Sequence, residues 1–252
     1  MRVISVTAQK GGVGKTTTAV NLAAALGEIG ERVLVIDLDA QANATAWLGY
    51  EPGDGLIEVL TDESPLELLA VPTPSPGVDC VPAAAGLGNL ERLLAGEPGS
   101  ETLLRAALDQ LPQERWSYVL FDCPPALGLV TLNALTAARE VLAPVETKTM
   151  ALQGLAALLG TVERVRKRLN RRLCVSAIVP CRVVRTRLSR EVLEALRERF
   201  PDLVTETFVR ENARLAEAPS YRMPITSYDP SSYGAEDFRN LAAEIRRRGA
   251  PS

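Results

Sequence analysis

Apolar residues along this chain follow two alternating rhythms. Mostly apolar runs, many of their residues β-branched, occupy residues 2–8, 32–38, 117–121, 140–145 and 173–179, as buried strands do. Between them the apolar positions recur every three or four residues. Ala19, Leu22, Ala23 and Leu26 form one such set, Leu155, Leu158, Leu159, Val162, Val165 and Leu169 a second, and Phe238, Leu241, Ala242 and Ile245 a third. These spacings predict helices over 18–26, over 150–170 and near the C-terminus, with two more at 127–138 and 189–200. Residues 53–112 are mixed: helical patches at 56–60, 87–94 and 102–111, a proline-rich connector at 71–77 and a short strand at 78–81. A further short strand is expected at 205–209. Repeated strand–helix units predict an α/β fold, a mostly parallel twisted sheet with helices on both faces. No linker or internal repeat divides the chain, so residues 1–252 read as a single domain.

The first strand-to-helix junction carries the chemistry. It reads Lys10-Gly11-Gly12-Val13-Gly14-Lys15-Thr16-Thr17, the strand–glycine loop–helix context that a phosphate-binding loop requires. Glycines let the backbone curl so that successive N–H groups face phosphate oxygens, and the helix N-terminus adds its dipole. In that frame Lys15 reaches the β- and γ-phosphates, the Thr16 hydroxyl binds Mg²⁺ and Thr17 bonds a nearer phosphate. The loop departs from the common pattern, because Gln9 stands where a glycine is usual and a second lysine, Lys10, follows it. One phosphate site rarely needs two lysines. The economical reading sends Lys10 across to a neighbouring subunit's nucleotide, to neutralise charge developing there.

Three carboxylates stand at strand ends, where ligands of open α/β sheets sit. Asp122 is placed to hold Mg²⁺ and Asp39 to orient an attacking water. Asp37 can serve the metal shell or, as readily, cap a turn.

The loop resembles the deviant Walker A motif of the ParA/MinD ATPases. Residues 33–41 resemble that family's second motif, 119–125 its Walker B motif, and 212–221 a late signature of its chromosome and plasmid partition branch. The resemblance implies a P-loop NTPase that uses ATP and Mg²⁺. It implies catalysis by Lys10, Lys15 and Asp39, nucleotide contacts from Gly11, Gly12, Val13, Gly14, Lys15, Thr16, Thr17 and Asp122, and metal contacts from Thr16, Asp39 and Asp122. It further implies a homodimer with ATP, in which Lys10 contacts the opposite subunit's nucleotide and which hydrolysis resets to monomer. Nonspecific DNA binding through Arg185 and Arg214 and a ParB-like centromere-binding partner complete the expectation. Two departures stand out: residues 179–186 lack the acidic residue the family often places before its DNA-binding arginine, and Lys148-Thr149-Met150 replaces acidic or aromatic residues. Purine recognition is expected near residues 208–210. With no strong general base evident, turnover is expected well below the ~1–100 s⁻¹ of kinases.

Composition narrows the alternatives. The chain lacks histidine, which removes His-based triads and most zinc sites, and its four cysteines are scattered, as reduced cytosolic thiols are. Met1 directly precedes the first strand and no apolar run is long enough to span a bilayer, so a cytoplasmic, nucleoid-associated protein is expected, without signal peptide or membrane partner. Residues 1–150 hold 9 basic and 19 acidic side chains, and residues 151–252 hold 19 and 12, which hints at a polyanion for the C-terminal part. The crowd Arg164, Arg166, Lys167, Arg168, Arg171 and Arg172 reads most simply as a solvated helix end. A MinD-like membrane-associated positioning ATPase is the alternative; it would need a bulky amphipathic C-terminal helix, and 246–252 is short and polar. An iron–sulfur reductase on the same fold would need cysteines shared between subunits, and Cys123 beside Asp122 is the wrong setting.

Overall fold

The computed structural model describes residues 1–62 and 64–250; the last two residues of the 246–252 tail lie outside them. Seven strands form one sheet in the order β3-β4-β2-β5-β1-β6-β7. They are β1 (Arg2–Val6), β2 (Val33–Asp37), β3 (Val71–Pro72), β4 (Val78–Val81), β5 (Tyr118–Asp122), β6 (Glu140–Glu146) and β7 (Cys174–Cys181). All pairings are parallel except β3 with β4. β3 comes from the proline-rich connector. Pro72 has no N–H to offer a ladder, and an edge strand is where a sheet tolerates that.

Strand residues alternate between two cores. Val33 and Val35 face α1 (Lys15–Glu28), α2 (Asn43–Trp47), α9 (Ala213–Glu217), α10 (Ile225–Tyr228) and α11 (Tyr233–Arg248). Leu34 and Ile36 face α3 (Gly55–Asp62), α4 (Leu90–Leu93), α5 (Leu103–Asp109), α6 (Leu129–Ala137), α7 (Ala151–Arg168) and α8 (Arg187–Arg199). The expected α/β architecture with both faces covered is what the chain adopts. α1 is buried along almost its whole length, which accounts for its run of alanines: small side chains let it pack on the sheet and on α11 together.

The expected strand at 205–209 does not form. Val204 and Arg210 make only isolated bridges, to Ile178 and Val183. The N–H groups of Glu206 and Thr207 donate instead to the buried Glu244 carboxylate of α11, both at 2.9 Å. A charged acceptor outcompetes a ladder carbonyl for these donors. Short helices at α2, α9 and α10 were not foreseen; at four or five residues each, they carry too little periodicity to read.

Pairing register sets up the site. Asp122, the last residue of β5, lies opposite Val6 of β1 on one side and Asp37 of β2 on the other. The loop after β1 therefore leaves the sheet beside two carboxylate-bearing strand ends.

Candidate nucleotide site

The loop after β1 wraps the start of α1. Gly12 has φ +76° and Gly14 φ +100°, left-handed values that a side chain strains to adopt. Gly14 is the residue before the helix, and no side chain caps α1, so its first N–H donors remain available to an anion. They border a cleft of about 480 Å³. Gly11, Gly12, Gly14, Lys15, Thr16 and Thr17 line one wall, and Asp39, Gln41 and Asn43 line another. Val13 turns its side chain away, into a small hollow with Leu155 and Leu158, so its contribution to the cleft is from backbone.

Asp122 is completely buried, and neither carboxylate oxygen receives a hydrogen bond. Burial holds its carboxyl well above the usual range, and the nearby Asp37 charge adds to this. Thr16 and Lys15 act in the opposite sense from close range, but neither donates at ordinary hydrogen-bond length. Lys15 is likewise shifted down by burial, against the pull of Asp122 and Asp39. An orphaned carboxylate beside a threonine hydroxyl and a desolvated lysine suits a divalent cation carried in with phosphates. No group of three or more His, Cys, Asp or Glu able to hold a metal alone occurs among the described residues, so phosphate and water would complete the shell.

Asp37 resolves differently. Its carboxylate accepts Thr45 N–H at 2.8 Å, Thr45 Oγ1–H at 2.7 Å and Asp39 N–H at 3.1 Å. It braces the turn between β2 and α2, and burial pushes it up to about 6. Asp39, two residues on, is free to face the cleft and accepts only Gln41 N–H at 3.0 Å.

The two lysines point to different places. Lys15 is 7% exposed and lies in the cleft. Lys10 is 59% exposed, and its ammonium sits 3.3 Å from Glu146 outside the cleft. Glu146, at the end of β6, also draws Lys148 at 2.8 Å and Arg182 at 3.2 Å. These cations hold its carboxyl below the usual range despite burial.

Val209, Leu215 and Phe238 also border the cleft, from buried positions. Of the stretch expected to recognise the purine, Val209 and Arg210 line the cleft, and Glu211 and Asn212 continue that wall. Asp237 fixes it. This buried carboxylate accepts Arg210 N–H at 2.9 Å and grips the Arg210 guanidinium at 2.5 Å, while that guanidinium covers the Tyr233 ring. Removing it strands a backbone donor and takes one of two carboxylates from a guanidinium that is 34% exposed and keeps Glu236, at a cost of about 1–3 kcal/mol. Asp237→Ala is therefore expected to melt about 2–10 °C lower than the parent by calorimetry; an unchanged melting temperature would show the brace to be idle.

Arg185 is exposed in the loop after β7 and has no carboxylate partner among the described residues. Arg214, also exposed, pairs with Glu217 at 2.9 Å and Asp229 at 3.8 Å. Their segments adjoin at the cleft rim, where Glu211 N–H donates to Val183 O at 3.1 Å. Cys181 and Arg182 also line the cleft and escaped the motif reading. Gln41 and Asn43 did too, although their place just beyond a strand's C-terminal end was a usable signal. Cys123 is buried with Sγ 3.2 Å from Ser5 Oγ, out of reach of any cluster shared between protomers.

Comparison with known proteins agrees with this geometry. A family model described as an AAA domain matches residues 1–175. The sporulation initiation inhibitor protein Soj of Bacillus subtilis is 42% identical, over 98% of this chain and 99% of that one. The chromosome-partitioning ATPase Soj of Thermus thermophilus is 45% identical, over 98% and 96%. Among solved structures, a cobyrinic acid a,c-diamide synthase from Mycobacterium smegmatis, with bound ATP analog and magnesium, superposes with a TM-score of 0.84 at 34% identity, over 98% and 95%.

Proposed function

This chain belongs to the ParA/Soj branch of the ParA/MinD ATPases, and from that premise we propose that it is a Mg²⁺-dependent ATPase forming an ATP-dependent homodimer. The dimer binds DNA nonspecifically and drives chromosome or plasmid partition, and hydrolysis returns it to monomer. A ParB-like centromere-binding protein stimulates that step, in the cytoplasm and on the nucleoid. One observation carries the reading: a single loop sends one lysine into its own cleft and leaves the other outside it, exposed.

In this reading the N–H groups of residues 11–17 and the Lys15 ammonium hold the triphosphate, with the base along the 209–212 wall. Thr16 and Asp122, with Asp39 beside them, would hold Mg²⁺, which when bound offsets phosphate charge. Asp39 orients the water. Lys10 leaves Glu146 for the partner's phosphates, an exchange of one anionic partner for another that costs little because Lys10 is exposed and the buried Glu146 keeps Lys148 and Arg182. No residue here is a strong base, and the Cys181 thiol in the cleft is pushed up to about 12 by burial and is inert. Slow turnover follows, and ATP acts as a timer.

A membrane-positioning role is less well supported. α11 spends Phe238, Leu241, Ala242 and Ile245 on the core, and no helix among the described residues is long and apolar enough to cross a membrane.

Mass measurement with ATP or ADP, with and without duplex, tests the proposal: ATP should give a dimer that binds DNA, and ADP a monomer that does not. Binding should weaken steeply with salt, with a slope of about 0.9 for each phosphate contacted. Arg185→Glu should abolish the gel shift while ATP-dependent pairing persists. A wild-type shift from that variant would discard the rim as the DNA surface.

A further inference from the structure

The basic crowd at the end of α7 does not stand alone. Arg139, just before β6, donates its N–H to Val3 O and accepts from Cys174 N–H, both at 3.1 Å. It therefore sits between the N-terminal ends of β1 and β7, at the pole of the sheet opposite the nucleotide cleft. The turn after α7 is clamped to the same place, because Asn170 Nδ2 donates to Leu135 O and Thr136 O at 3.0 Å and Ala138 O at 2.5 Å. That turn presents Arg171 and Arg172. α11 ends here too: Arg2 donates to Ile245 O at 2.7 Å while holding Glu140, the residue after Arg139. Arg246 and Arg247 follow directly.

Three carboxylates at this pole are already used, while Glu31 and Asp202 make no ion pair among the described residues. Glu140 is buried against Arg2, Glu163 pairs with Arg166 and Lys167, and Glu206 pairs with Arg247. Arg139, Arg168, Arg171, Arg172 and Arg246 are exposed, with no carboxylate partner among the described residues. Helix dipoles do not account for them. The C-termini of α7 and α11 supply about half a negative charge each, well short of five guanidiniums. A lipid surface is a poor fit, since the exposed apolar side chains at this end, Met1 and Ile29, stand singly. The guanidiniums themselves favour phosphate, which they engage in bidentate fashion.

We infer that this pole is a second DNA-backbone contact surface, distinct from the rim that carries Arg185 and Arg214. The inference rests on the DNA-binding reading above and adds a second site to it. It reads no sequence, because phosphate contacts carry none. In a dimer joined through its nucleotide faces, the two poles point outward, free to hold DNA beyond the duplex at the rim.

The test is fluorescence anisotropy of a labelled mixed-sequence duplex with the ATP-bound protein over a salt series. The triple substitution Arg139→Gln, Arg171→Gln, Arg172→Gln is compared with the parent. The expected result is a log–log salt slope smaller by about two to three, near 0.9 for each phosphate no longer neutralised, with ATP-dependent mass and hydrolysis unchanged. An unchanged slope and affinity, with Arg185→Glu still abolishing binding, overturns the second surface and leaves the first intact. A parent that binds no duplex in any nucleotide state defeats both. Arginine-dependent binding to anionic lipid vesicles, with duplex binding unaffected by the substitutions, assigns the pole to membrane and overturns the inference.

Discussion

Lys10→Ala should bind ATP nearly as the parent does, yet neither pair nor turn it over. The cleft that would hold the nucleotide is lined by Lys15 and the loop glycines, while the Lys10 ammonium lies outside it on Glu146. Losing this exposed ammonium from Glu146, which keeps Lys148 and Arg182, costs the monomer about 0–1 kcal/mol, so melting temperature and nucleotide affinity should barely move. The loss falls on the assembled state, where a charge delivered in trans to a transferring phosphoryl group is worth about 10³–10⁵ in rate. Light scattering with ATP should report a monomer, and single-turnover hydrolysis should fall by at least about a thousandfold. Lys15→Ala should behave differently, because it removes a cation from within the cleft and should lose nucleotide affinity itself. If the two variants share one phenotype, the division of labour between the lysines is wrong.

Asp39→Ala should do the reverse, pairing on ATP and then staying paired. Asp39 reaches the cleft because Asp37 absorbs the structural work of the turn, gathering three donors and leaving Asp39 with one. Deleting the carboxylate costs the Gln41 hydrogen bond, about 1 kcal/mol, and leaves Lys15, Thr16 and Asp122 in place. Hydrolysis should drop about 10²–10⁴-fold, the range for a positioned proton acceptor, and the DNA-bound dimer should persist long after ATP is chased. Asp39→Asn keeps the turn and separates the charge from the scaffold. Rapid dissociation of the Asp39→Ala dimer would place the water-orienting group elsewhere.

Much of this was legible because the relevant signals are local. A glycine loop between a β-branched run and an alanine-rich helix is a contiguous motif, and strand-end aspartates follow from chain order in a parallel sheet. What the sequence could not deliver is convergence between distant segments. Asp237 lies on the closing helix yet shapes the base end of the cleft through Arg210. Glu244 steals the donors that a 205–209 strand would have needed. Glu146 gathers Lys10, Lys148 and Arg182 from three places along the chain. Arg139 joins the α7 arginines only because β6 lies between β1 and β7. Each is a long-range polar contact, and polar contacts leave no periodic trace. Sequence already favoured Asp39 over Asp37 for the water; the Thr45 hydroxyl, met in three dimensions, shows what occupies Asp37.

Whether Lys10 works across a subunit boundary is settled most directly by mixing two inactive variants. Lys10→Ala keeps an intact cleft and lacks the reaching cation; Asp39→Ala keeps the cation and has a dead cleft. A mixed dimer brings the second protomer's Lys10 to the first protomer's nucleotide, so ATPase activity absent from either variant alone should appear on mixing. Activity on mixing no greater than the sum of the separate proteins, with mixed dimers shown to form, would contradict a lysine that acts on its neighbour.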